Sequence, residues 1–148
     1  PDHLLLDAQL NAIKHRGPDG SGTFISKGIG IGMCRLAIVE IASGKQPASD
    51  SAEKIQIVWN GEIYNYKQLR SRLIGKGYSF FSSSDTEVII KAYHYWGDDC
   101  VNHLDGMFAF AIWDKPSKKL FIARDRMGIK PLYYNLTNKA FTFASNFL

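Results

Sequence analysis

Residues 56–69 read QIVWNGEIYNYKQL, an apolar run through Ile57, Val58 and Trp59 that meets Asn60-Gly61 and then Tyr64 and Leu69, with Leu73 just beyond. Asn-Gly is the strongest short-range hairpin signal, because both central residues of a type I′ turn must accept positive φ. A hairpin returns the chain along the strand it has left, yet Tyr64, Leu69 and Leu73 have helical spacing. The expectation is a strand over 54–59, a turn at Asn60-Gly61 and a helix over 64–74. Such a turn is free to hold something other than a neighbouring strand.

Upstream, Leu6, Leu10 and Ile13 recur as one helix face, predicting a helix over 4–15 that stops before Gly17-Pro18. RGPDGSG (16–22) follows as a glycine-rich loop, in which Asp19 reads as readily as an Asx-turn residue as a site residue. Residues 28–39 look like a strand with Gly28, Gly30 and Gly32 on one face. Met33 stands where a dinucleotide fingerprint needs its third glycine, so close backbone packing is the expected reason for these glycines.

Downstream, SSDTEVIIKAYHYWG (83–97) opens the clearest helix, expected over 85–96. Ser84 and Glu87 are placed as a capping box, and Val88, Ala92 and Trp96 as the buried stripe. GMFAFAIWD (106–114) and KKLFIARD (118–125) read as two strands joined through Lys115-Pro116-Ser117. PLYYNL and AFTFAS read as two more around Thr137-Asn138. Strands, helices and then a run of strands do not alternate as in a doubly wound sheet, so layered sheets with helices outside are expected.

The 148 residues carry a net charge of +4, with 45% hydrophobic and 22% charged residues, as in one ordinary globular domain. Lys and Arg are scattered and no basic run alternates with aromatics, which argues against nucleic acid. Cys34 and Cys100 make neither a disulfide framework nor a metal cluster, and the four histidines are isolated, so no metal site is expected. A reducing cytoplasm fits. No leader and no run of eighteen apolar residues is seen, so neither export nor a membrane partner is expected.

Six stretches, HRGPDGSG, RLAIVE, NGEIYN, SDTEVI, GMFAFAIWD and RDRMGIKPLYY, together resemble, in order and spacing, the glutaminase domain of class II glutamine amidotransferases. NGEIYN and GIKPLYY make the asparagine synthetase branch the best match, over 15–145. The resemblance implies an α+β, four-layer αββα N-terminal-nucleophile hydrolase fold, with two mostly antiparallel sheets between helical layers. It implies hydrolysis of glutamine to glutamate and ammonia, with Asn60 and Gly61 as oxyanion donors. It places Arg35 on the substrate α-carboxylate, with Glu62 and Asp85 as the acids that hold the α-ammonium and backbone near Leu36 and Ile38 lining the pocket. From the residues alone each has a plainer reading: Asn60-Gly61 a turn, Arg35 a strand-end charge, Glu62 a turn residue, Asp85 an acid at a helix N-terminus.

In the family the nucleophile is a cysteine at the first position of the mature chain, whose free α-amine acts as base. This sequence opens Pro1-Asp2-His3, so an opening strand and its connection are expected to be missing, and residues 1–148 alone are expected to be inactive. Met33-Cys34 also departs from the His and polar residue common in relatives, and Cys34 reads better as a structural thiol than as a replacement nucleophile. No cofactor is expected in this domain. ATP and Mg are expected only for a synthetase domain of the same polypeptide, which has no counterpart here, since no S-G-G-x-D-S loop occurs. A homodimer is compatible with the resemblance, and the nitrogen acceptor stays open between aspartate and another carboxyl or sugar substrate. A glutamine-binding module that has lost its nucleophile, and an assembly domain without ligand, are the alternatives.

Overall fold

The structure, a computed structural model, describes residues 3–35 and 46–146, Arg35 by its backbone alone. In chain order it contains α1 (His3–Ile13), β1 (Gly20–Ser26), β2 (Ile29–Arg35), β3 (Ala48–Ser49), β4 (Ile55–Ile63), α2 (Tyr66–Ile74), α3 (Asp85–Trp96), β5 (Gly106–Asp114), β6 (Lys119–Arg124), β7 (Tyr133–Leu136) and β8 (Phe141–Ala144). All described strand pairings are antiparallel: β1 with β2, β3-β4-β5-β6 as a central sheet, and β7 with β8.

Strand alternation gives the central sheet two buried faces. Ile55, Ile57, Trp59 and Ile63 of β4, Phe108, Phe110 and Ile112 of β5, and Phe121 and Ala123 of β6 face the helices, where Leu69 and Leu73 of α2 and Val88, Ile89 and Ala92 of α3 meet them. Val58, Ala111, Trp113 and Ile122 point the other way, onto Ile29, Ile31 and Met33 of β2, Phe24 of β1 and Phe143 of β8. Helix α1 covers the outer side of β2. There a Cβ on Gly32 would lie 3.0 Å from Leu10 Cδ1, the close packing expected of the glycine face, whereas Gly28 lies in the turn before β2 with nothing within 4 Å. The layers therefore run α1, β1-β2, β3–β6, α2-α3, an α+β arrangement of αββα order.

The turn expected at Asn60-Gly61 does not form. β4 runs through both residues to Ile63, paired from Ile55↔Asp114 to Ile63↔Gly106. A facing strand of equal length outweighs the local turn preference, and Gly61, at φ +145°, admits the close approach of β5. The chain turns instead at 64–65, where Tyr64 N–H donates to Asp105 O (2.7 Å) and the Asn65 amide grips His103 O (2.9 Å) and Asp105 N–H (3.0 Å). Tyr64 thus stands outside α2 and is exposed. β1 lies partly within the stretch read as a loop, its pairing with β2 closed by Gly28 at φ +85°.

Only half of the capping box is made. Ser84 Oγ accepts from Glu87 N–H (3.3 Å), but the Glu87 carboxylate turns to Phe81 N–H, Ser82 N–H and the Ser82 hydroxyl (2.7 Å). These donors outweigh burial and hold the Glu87 carboxyl below its usual range. Among the described residues no helix is long and apolar enough to cross a membrane, and no group of three or more His, Cys, Asp and Glu could hold a metal.

Candidate active site

Of the sequence-predicted site residues, Asn60, Gly61 and Glu62 lie consecutively near the C-terminal end of β4, opposite Ala109, Phe108 and Met107. Asn60 and Glu62 are exposed and Gly61 is half-buried. A Cβ on Gly61 would stand 2.0 Å from Met107 O and 2.7 Å from Phe108 Cα, so both the space and the positive φ require glycine there.

The N–H groups of β4 divide by parity. In an antiparallel pair each residue sends its N–H and C=O to one side. Even-numbered residues address β5, as shown at the ends by Tyr64 N–H to Asp105 O and Lys115 N–H to Lys54 O. Odd-numbered ones address the opposite edge. There Ile55 N–H donates to Asp50 Oδ1 (2.8 Å), Ile57 lies opposite Ala48 of β3, Trp59 N–H donates to Gln46 Oε1 (2.7 Å), and the Ile63 N–H acts to lower the Asp85 pKa. The Gly61 N–H falls between those of Trp59 and Ile63. Its partner in register, Phe108, is turned away, bonding Asp125 through both its C=O (2.7 Å) and its N–H (3.2 Å). No described residue offers the Gly61 N–H an acceptor on the open edge.

Asp85 opens α3 and is half-buried against the end of β4. Burial pushes its carboxyl up, three N–H groups (Ile63, its own and Thr86) pull it down, and the Glu62 charge adds to the rise; the balance is a raised pKa. The two carboxylates are close enough for the charge of Glu62 to disfavour that of Asp85. Trp59 Nε1–H donates to Thr86 Oγ1 (2.9 Å), fixing the spacing of β4 and α3.

Arg35 ends β2 opposite Gly20, and its side chain lies outside the described residues, as do Leu36 and Ile38 entirely. The structure therefore brings Asn60, Gly61, Glu62 and Asp85 together and leaves those three without a described position in the site. Clefts open elsewhere among the described residues. One, of about 250 Å³, lies between α1 and 17–21 and includes Lys14, Asp19 and Cys34; another, of about 280 Å³, runs between β3 and α3 and includes Asp50, Phe81, Thr86 and Lys91. Asn60 and Gly61 line neither.

Neither cysteine is poised for attack. Burial raises the Cys34 pKa against the opposing charge of Lys14, and its thiol donates to Leu10 O (3.3 Å). Cys100 is fully buried and pushed up to about 12, by burial first and Asp98 second. Sequence reasoning missed Gln46 and Asp125. RDRMGIKPLYY reads from the sequence as a strand-turn-strand bending at Met127-Gly128 rather than as a phosphate site, and nothing in it marks the bonds that Asp125 makes. Arg124 is in fact turned onto Lys130 O (2.6 Å), and Gly128 makes the bend at φ +66°.

Residues 2–148 match the family described as glutamine amidotransferase domain. Asparagine synthetase [glutamine-hydrolyzing] 1 of Bacillus subtilis (strain 168) is 47% identical over 145 residues, covering 97% of this chain and 23% of that protein. Asparagine synthetase [glutamine-hydrolyzing] 3 of the same organism is 41% identical over 142 residues, covering 95% and 23%. Among solved structures, the glutamine phosphoribosylpyrophosphate amidotransferase of B. subtilis, complexed with ADP and GMP, aligns with a TM-score of 0.64 and 27% identity over 78% of this chain and 27% of that one. The layered arrangement is that of the N-terminal-nucleophile amidotransferases, and the chain spans about a quarter of the length of these curated relatives.

Proposed function

The chain belongs to the glutamine amidotransferase domain family, and from that premise we propose that it hydrolyses the side-chain amide of glutamine to glutamate and ammonia at the end of β4. The observation that carries this reading is the Gly61 N–H, turned away from β5 and accepted by no described residue, beside the exposed Asn60. A thiolate attacking the amide carbon drives an electron pair onto the carbonyl oxygen, and fixed donors aimed at that oxygen are worth about 3–4 kcal/mol each. Asn60 Nδ2–H and Gly61 N–H are those donors. The nucleophile is a cysteine outside residues 1–148. Its α-amine, with a pKa of about 7.7–8.0, takes the thiol proton and returns it to the departing ammonia, and water then cleaves the thioester.

Arg35 forks onto the substrate α-carboxylate. Asp85 and Glu62 hold the α-ammonium, and backbone at Leu36 and Ile38 lines the pocket. The hydrolysis uses no cofactor. Ammonia passes to a synthetase domain of the same polypeptide, where ATP and Mg serve amide formation on aspartate, and the setting is the cytoplasm.

The test is glutamate release from glutamine by three proteins: residues 1–148 alone, a form extended to the native free cysteine, and that form with Asn60→Ala. The first is expected to be silent and the second active. The third should lose roughly a hundredfold in kcat with a smaller change in KM. Activity of residues 1–148 alone would return the search to Cys34, and an unimpaired Asn60→Ala would remove the oxyanion role.

A further inference from the structure

Asp125 stands one residue beyond β6, where the ladder with β5 would next set it opposite Phe108. Only half of that pair is made by backbone. Asp125 N–H donates to Phe108 O (2.7 Å), but Phe108 N–H goes to the Asp125 side chain, at Oδ2 (3.2 Å), because the chain has already bent away from the sheet. The same carboxylate accepts Lys130 N–H at Oδ2 (3.0 Å) and Ile129 N–H at Oδ1 (2.9 Å), so it ties the 125–130 bend to β5. Asp125 is 5% exposed and Phe108 4%. Burial works against the charge, and the three N–H groups with neighbouring Arg124 outweigh it, so the carboxyl is held below its usual range.

On the other side of Phe108 lies Gly61. There the two backbones touch directly, with no side chain on Gly61 to set the spacing. We propose that Asp125 is a positioning residue for the oxyanion site: by anchoring both backbone groups of Phe108, against which Gly61 packs with no side chain between, it fixes where β5 supports β4 and so the place of the Gly61 N–H, which strand alternation already turns away from β5. The inference rests on the reading of Asn60 and Gly61 given above. It gives the buried carboxylate a task besides closing its own loop. A freed Phe108 N–H would need a new acceptor, and a rotation of β5 toward β4 would pass straight to Gly61.

The test uses the intact protein in four forms: native, Asn60→Ala, Asp125→Asn and Arg124→Gln. Asn at 125 keeps the shape but sets an NH₂ against at least one of the N–H donors. Arg124→Gln loosens the same bend, through the lost bond to Lys130 O, without touching Phe108. The readouts are kcat and KM for glutamate release, thermal unfolding, and hydrogen–deuterium exchange of peptides covering 55–64 and 124–131. Asp125→Asn is expected to lower kcat by about tenfold to a hundredfold, as a small misplacement of a catalytic group does, with KM changed less than about threefold. Exchange should rise in both peptides. Arg124→Gln should raise exchange in 124–131 alone and leave kcat within about threefold of native. Unchanged exchange over 55–64 in Asp125→Asn, or an equal fall of kcat in Arg124→Gln, would overturn the proposal. A neutral Asn60→Ala would instead bring down the site reading, and exchange over 55–64 would still report separately whether Asp125 sets the geometry of β4.

Discussion

The indole N–H of Trp59 donates to Thr86 Oγ1 at 2.9 Å, joining the residue before Asn60 to the residue after Asp85. One bond therefore sets the distance between the two halves of the candidate site. Trp59→Phe keeps an aromatic ring in the helix-facing core and removes the donor. The expected cost is about 1 kcal/mol in urea unfolding, the usual net worth of such a bond. KM for glutamine should rise by more than kcat falls, because the acids proposed to hold the ammonium drift from the donors. A KM that stays put would mean that Ile63 N–H on Asp85 suffices to hold the spacing.

Gly61→Ala meets two obstacles at once, φ +145° and a backbone oxygen 2.0 Å from the new carbon. Strain at such a φ costs about 1–3 kcal/mol and overpacking a similar amount, so a loss of roughly 3 kcal/mol or more is expected. Chemical denaturation measures it directly. A variant as stable as the native domain would show that β4 and β5 separate easily at this point.

Asp85→Asn should separate stability from binding. The folded pKa of Asp85 is raised above the ordinary 3.8, so its charged form costs stability at neutral pH, and the cost fades as pH falls through the folded value toward the unfolded one. The Asn variant, without ligand, should therefore melt higher than the native protein at pH 7, and the two should converge on acidification. Glutamine affinity should fall sharply in the variant. Equal melting temperatures at pH 7 would mean that the three N–H donors already balance the burial.

The strands and helices were largely legible, because alternation in GMFAFAIWD and KKLFIARD and the stripe Val88, Ala92, Trp96 follow from side-chain geometry alone. Asn60-Gly61 was misread because turn propensity is local, whereas Gly61 serves an approach by β5, some forty-five residues further on. Glu87 followed the capping pattern only halfway, since three donors on 81–82 were within its reach. Asp125 could not be assigned from sequence: its partner Phe108 is seventeen positions away. The roles of Arg35, Leu36 and Ile38 rest on family resemblance, with no described geometry.

Thiol chemistry offers a further check. Cys100, buried and pushed up to about 12, should resist alkylation at pH 8 until the protein unfolds, and Cys34 should react more slowly than a free thiol. Mass spectrometry of iodoacetamide adducts against time distinguishes the two sites. Rapid labelling of Cys34 in the folded protein would reopen it as a nucleophile.

The brevity of β3 acquires a meaning from the parity of β4. Among the described residues β3 pairs with Gln56 and Ile57 alone, and a strand laid alongside Gly61 would set a carbonyl where the proposed oxyanion would sit. Such a protein would be better knit and catalytically mute. Directed evolution for heat resistance alone should drift toward silent variants with an extended β3, unless turnover is selected in the same rounds.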